Sequence, residues 1–127
     1  MAFVIHLFYE SDSPSKIGDK MSKPSVLIVD DEDGIRESLS GIFEDEEYEV
    51  SAVESGEKAL TIIHDSSFDI ILLDIWMAGM DGIETLEKIK EARPNIPVIM
   101  ISGHGNIELA VKAVKMGAYD FLEKPLS

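Results

Sequence analysis

From residue 21 onward, short apolar runs alternate regularly with amphipathic stretches, and this alternation limits the possible folds more than any other feature. Val26–Val29 reads as a buried strand, after which Ile35, Leu39, Ile42 and Phe43 recur at helical spacing along GIRESLSGIFEDEE. Tyr48–Val53 is a second strand bounded by ESG, and Ala59, Leu60, Ile62 and Ile63 give the next helix one apolar face. Ile70–Leu73 is apolar without alternation, as suits a central parallel strand covered on both sides. DGIETLEKIKEARP opens with Asp81 and Glu84 at capping-box spacing, carries Ile83, Leu86 and Ile89 on one side, and is ended by Pro94. IPVIMIS is a fourth strand, NIELAVKAVKMG a fourth helix closed by Gly117, and YDFLEKP a short fifth strand. Such alternation predicts βαβ units and an α/β domain with a doubly wound, five-stranded parallel sheet. Within the fourth helix Val111 and Val114 are expected on the core-facing stripe with Leu109 and Ala110, leaving Lys112 and Lys115 in solvent or paired with acids of a second copy.

The composition narrows the function. A net charge of −14, from 25 acidic and 11 basic residues, repels nucleic-acid phosphates and argues against direct DNA or RNA binding by this segment. With no cysteine there is no disulfide framework, thiolate zinc site or cysteine nucleophile, which fits a cytoplasmic protein. No apolar run approaches the roughly 18–20 residues of a membrane helix. Residues 1–20 differ from the rest: an apolar run, Phe3 to Tyr9, passes into a Ser/Pro/Gly/Lys stretch that reads as a leader or linker, artificial or mis-assigned. The domain is expected over residues 21–127, truncated after the fifth strand with no fifth helix. The Phe3–Tyr9 run is a candidate cover for the sheet face thus exposed, in its own chain or a neighbour's.

The candidate site follows from what each strand ends on. In an open α/β sheet, ligands bind beyond the carboxyl ends of the strands, where strand order reverses. The first strand ends in Asp30 and Asp31, the third in Asp74, the fourth in Ser102, and Lys124 follows the fifth. Each alone has a plain reading as a turn or cap. Together they place three carboxylates, a hydroxyl and an ammonium on one rim. Crowded carboxylates raise one another's pKa unless a cation compensates. The oxygen-only set suits Mg²⁺ or Mn²⁺ rather than zinc, and magnesium characteristically pairs one or two carboxylates with phosphate oxygens. The pattern reads as a metal-assisted phosphoacceptor site.

The motifs VLIVDDE, DIILLDIWMAGMDGIE, IPVIMISGHG and GAYDFLEKP, in this order and spacing, resemble the receiver domain of two-component response regulators over Met21 to Pro125. The tail AVKAVKMGAYDFLEKPLS is most similar to receivers of nitrogen-regulation-type, sigma-54-dependent activators, in which AAA+ and helix-turn-helix domains follow. The resemblance implies a flavodoxin-like strand order of 2-1-3-4-5 and a switch rather than an enzyme, with a sensor histidine kinase as phosphoryl donor and a homodimer among its partners. By motif position Asp74 is the phosphoacceptor and a metal ligand, Asp31 a direct Mg²⁺ ligand, Asp30 a ligand chiefly through water, and the Trp76 backbone carbonyl a further ligand. Ser102 and Phe121 take the switch positions, and Lys124 pairs with the phosphoryl group.

Trp76 and His104 occupy positions that in this family shield or orient the water hydrolysing the acyl phosphate, so the resemblance implies that bulky Trp76 slows self-dephosphorylation. The plainer readings are a docking aromatic for Trp76 and a loop residue for His104. Two departures stand out. Ala78 replaces the usual proline after the acceptor, predicting a less rigid loop, and Phe121 replaces tyrosine, removing a hydroxyl. Two rival functions remain. An aspartate-nucleophile phosphatase of the haloacid dehalogenase kind needs a second aspartate where Trp76 stands, and a pseudo-receiver interaction module would usually have lost the acids or the lysine.

Overall fold

The computed structural model describes residues 23–103 and 107–124. The elements run β1 (Ser25–Val29), α1 (Asp33–Asp45), β2 (Glu49–Val53), α2 (Gly56–Asp65), β3 (Ile70–Asp74), α3 (Gly82–Ala92), β4 (Val98–Ser102), α4 (Ile107–Lys115) and β5 (Asp120–Glu123). All strand pairs are parallel and the sheet order is β2-β1-β3-β4-β5, as the sequence predicts. The order reverses between β1 and β3, so the crevice beyond their carboxyl ends falls between Asp30 and Asp74.

Side chains alternate across the sheet and divide the core into two layers. On one face Leu27, Val29, Ile71, Leu73, Val98 and Met100 pack under Ala59 and Ile63 of α2, Leu86 and Ile89 of α3, and Ala110 and Ala113 of α4. On the other, Val26, Ile28, Ile70, Leu72, Ile99 and Ile101 meet Leu39 and Phe43. Among the described residues α1 is the helix that contributes to this second layer, and the Phe3–Tyr9 run proposed to cover it lies outside them. Local chemistry sets the helix starts. Ser55 Oγ accepts from Lys58 N at 3.1 Å, and Asp81 Oδ1 from Glu84 N at 2.9 Å.

The expected stripe of α4 needs correction. Ala110 and Ala113 are its buried residues, whereas Val111 and Val114 are 42% and 40% exposed and join Ile107 in an outward apolar line. Small side chains let α4 lie close on the sheet, and the two valines are thereby turned away from it.

Candidate functional site

The buried polar residues among those described are Asp30, Asp74, Thr85 and Ser102, and all but Thr85 stand at the carboxyl rim. Thr85 has a structural partner, donating to the Asp81 carbonyl at 2.7 Å. The rim residues are set by the backbone ladder. Asp30 N donates to Val53 O at 3.2 Å, Ile75 N to Ile101 O at 3.0 Å, and Lys124 N to Ser102 O at 2.8 Å. Neighbouring strand ends are therefore in register, and Lys124 emerges beside Ser102.

Lys124 Nζ lies 3.2 Å from Asp30 Oδ2, 3.5 Å from Asp74 Oδ1 and 3.8 Å from Glu32 Oε1. Burial and the neighbouring Asp30 charge push the Asp74 carboxyl up to about 6, against the smaller downward pull of Lys124 and a backbone hydrogen bond from Trp76. Asp30 is likewise raised, chiefly by burial, although Glu32 N donates to its Oδ1 at 2.9 Å and Lys124 lies beside it. Burial pulls Lys124 down, but Asp74, Asp30 and Glu32 together outweigh it and hold the ammonium above its usual range. One lysine thus compensates two buried carboxylates incompletely, and the site still favours a further cation. The Ser102 hydroxyl is buried with no hydrogen-bond partner among the described residues, a donor held in reserve at the same rim.

Oxygens of Asp30, Asp31 and Glu32 lie within 4.8 Å of one another, a spacing one hard cation can bridge. The sequence reading placed Asp74 in this group. In the structure Asp74 joins it through Lys124, and Glu32 is the acid the reading left unassigned. Its signal was present as the third of four consecutive acids in DDED. Glu32 occupies the N-cap position of α1 yet makes no side-chain cap bond, so helix capping does not account for it.

The loop after Asp74 carries a second finding. Ala78 N donates to Asp31 Oδ2 at 3.1 Å, tying the loop after Asp74 to the β1–α1 loop. A proline there has no N–H to give, so the expected looseness meets a compensating bond. Gly82 N donates to Ile75 O at 2.8 Å, and a Cβ on Gly82 would stand 2.1 Å from the Asp74 carbonyl oxygen. Glycine is thus what lets α3 start against the Asp74 backbone. Trp76 is 56% exposed, Phe121 is half-buried against the α2–α4 layer, and His104 lies outside the described residues. A cleft of about 780 Å³ opens at the opposite pole. There Arg93 donates to the Ile63 carbonyl in the last turn of α2 at 2.8 Å, a capping role, and Lys90 donates to the carbonyl of Ile96 in the loop before β4 at 2.9 Å.

Comparison with known proteins agrees with this geometry. The chain is 50% identical over 104 residues to the nitrogen assimilation regulatory protein NtrX of Azorhizobium caulinodans, covering 80% of this chain and 23% of that protein. It is 35% identical to the transcriptional regulatory protein FixJ of Bradyrhizobium diazoefficiens, over 82% of this chain and 51% of that one. The chain thus spans about half or less of the length of these curated relatives. Among solved structures, the receiver domain of NtrX from Brucella abortus superposes with a TM-score of 0.78 at 47% identity, covering 80% of this chain and 87% of that one. Residues 26–127 match the response regulator receiver domain, and the chain belongs to that family.

Proposed function

We propose that this chain is a phosphorylation-driven switch in which Asp74 accepts a phosphoryl group from a sensor histidine kinase and passes the signal to an output domain. The observation that carries the reading is the meeting of buried Asp74 and Asp30 with Lys124 at one rim, beside a buried serine hydroxyl without a partner. In the transfer, the N–P bond of the phosphohistidine breaks, an O–P bond to an Asp74 carboxylate oxygen forms, and the imidazole leaves with the bonding pair. Lys124 holds positive charge where the phosphoryl oxygens arrive, and the Ser102 hydroxyl gains an acceptor it otherwise lacks. Asp30, Asp31 and Glu32 supply the carboxylates, and Trp76 a backbone carbonyl, that would hold Mg²⁺ (or Mn²⁺). That ion, when bound, neutralises charge on the transferring group.

The new acyl phosphate carries a charge of roughly −1.5 to −2. It would draw Ser102 and shift Phe121 on β5. The output face is α4 with β5, whose exposed Ile107, Val111 and Val114 offer apolar contact to a downstream domain or a second copy. The full-length protein would add AAA+ and helix-turn-helix domains and work in the cytoplasm. Among the described residues no helix is long and apolar enough to cross a membrane. Trp76 is assigned to slow self-dephosphorylation, so W76A would shorten the lifetime of the phosphorylated form.

Intact-mass spectrometry after incubation with acetyl phosphate tests the reading, with Mg²⁺ or EDTA and an Asp74→Asn control. A Mg²⁺-dependent phosphoryl adduct, absent from the control, is the expected result. A folded chain that takes no adduct would leave the interaction-module reading in its place.

A further inference from the structure

The β1–α1 loop has to present Asp30, Asp31 and Glu32 together although their charges repel, and its side chains make no helix cap to stiffen it. Besides the bonds from Glu32 N to Asp30 Oδ1 and from Ala78 N to Asp31 Oδ2, it is held from the first turn of α1. Arg36 Nη1 donates to the backbone carbonyl of Asp30 at 2.7 Å, and Nη2 pairs with the Asp33 carboxylate. The Arg36 side chain is mostly buried, 19% exposed. Its backbone N–H closes the first helical bond on Glu32 O at 3.1 Å. One side chain therefore spans the acidic loop from the residue before Asp31 to the residue after Glu32. Arginine suits this task because its planar fork holds two acceptors in fixed directions, which a lysine point charge cannot do.

We propose that Arg36 is a positioning residue for the acidic loop, holding the Asp30–Asp33 backbone in the shape that lets the carboxylates take Mg²⁺ in preference to a larger ion. The inference rests on the metal-assisted reading above. Two effects of Arg36 on a cation have opposite signs. As a nearby positive charge it opposes every divalent ion, so its removal should tighten Mg²⁺ and Ca²⁺ alike. As a geometric clamp it favours Mg²⁺, which demands near-ideal octahedral oxygens, far more than Ca²⁺, which tolerates irregular ones. Outer-shell partners of metal ligands are typically worth about 10–100-fold in affinity, and an exposed, partly hydrated site belongs at the low end.

The test is a chemical-shift titration of the full 127-residue chain with Mg²⁺ and separately with Ca²⁺, for wild type, R36K and R36Q. R36K keeps the charge and loses the fork. Its Mg²⁺ Kd should rise about tenfold while its Ca²⁺ Kd stays within about twofold. R36Q should show the same lost preference for Mg²⁺, offset toward tighter binding of both ions. Thermal unfolding in EDTA accompanies each variant, and the Mg²⁺/Ca²⁺ ratio is the readout that a mere loss of stability would not move. Equal Mg²⁺ and Ca²⁺ affinities across the three proteins, or a parallel change in both, would overturn the role of Arg36 alone. A wild-type chain with no Mg²⁺ response would overturn the metal reading beneath it.

Discussion

Replacing Lys124 by methionine isolates the charge at the centre of the site, because the stem length is nearly kept while the ammonium is lost. Nζ stands 3.2 Å from Asp30 Oδ2 and 3.5 Å from Asp74 Oδ1. At an effective dielectric of about 20, each attraction is worth roughly 5 kcal/mol before the cost of drying the lysine. That gross figure is not the loss to expect. The carboxylates can escape by taking a proton, and Asp74, already at about 6, needs only about 1.4 kcal/mol to do so at pH 7. Solvent at the rim reduces the effect further. The expected destabilisation is about 2–3 kcal/mol at pH 7.

Its pH dependence follows from the direction of the shift. A carboxyl raised from 3.8 to about 6 on folding favours the folded state most at low pH, and this benefit fades as pH rises through that window. Without Lys124 the fade is deeper and extends past pH 6. K124M should therefore cost less at pH 4.5, where Asp74 is protonated in both proteins and its share of the loss is gone. Urea unfolding at the two pH values checks this. An equal loss at both would mean that Lys124 acts through packing of its stem, and the electrostatic account of the rim would fail.

Two further predictions concern the scaffold of the site. G82A places a methyl 2.1 Å from the Asp74 carbonyl oxygen and 2.6 Å from Ile75 Cα, backbone that cannot step aside, so it should cost about 2–4 kcal/mol and slow phosphorylation. G41A, on the exposed side of α1 with nothing within 4 Å, should instead stabilise by up to about 1 kcal/mol, and the pair compared by urea unfolding separates crowding from helix propensity. S102A removes a buried hydroxyl with no partner among the described residues, so the free domain should gain about 0.5–1 kcal/mol while the acetyl-phosphate adduct forms more slowly. A loss of stability with unchanged phosphorylation would contradict the place given to Ser102.

Much of the fold was legible because its signals are local. Unbroken apolar runs marked β1, β3 and β4, whose residues are buried apart from the half-buried Ser25, and Asp81 announced the helix it caps. The stripe of α4 was misread because hydropathy ranks valine above alanine, whereas close approach to a sheet selects for small size. Ala110 is buried as expected, but Val111 and Val114 gave way to Ala113 on that ground. The strand ends were legible as a site because parallel strands deliver their carboxyl ends to one rim whatever the loops do. The roles of Glu32, Arg36 and Ala78 were not, since they depend on where loop side chains and one N–H point.

The geometry also explains why these residue types share the rim. Lys124 follows β5, and β4 lies between it and β3, so its charge must cross roughly 10 Å of sheet to reach Asp74. It must travel one strand further to reach Asp30 on β1. Lysine's stem and the two aspartate side chains reaching toward it make that span together, and the compact ammonium can sit between two carboxylates without demanding a planar match. The crossing runs over the end of β4, so the residue there has to be short, and Ser102 is. Ser102 also puts a buried hydroxyl without a partner among the described residues at that end, a group able to serve a phosphoryl oxygen. The serine and the lysine are thus one solution to a single spacing, set by the order in which the strands lie.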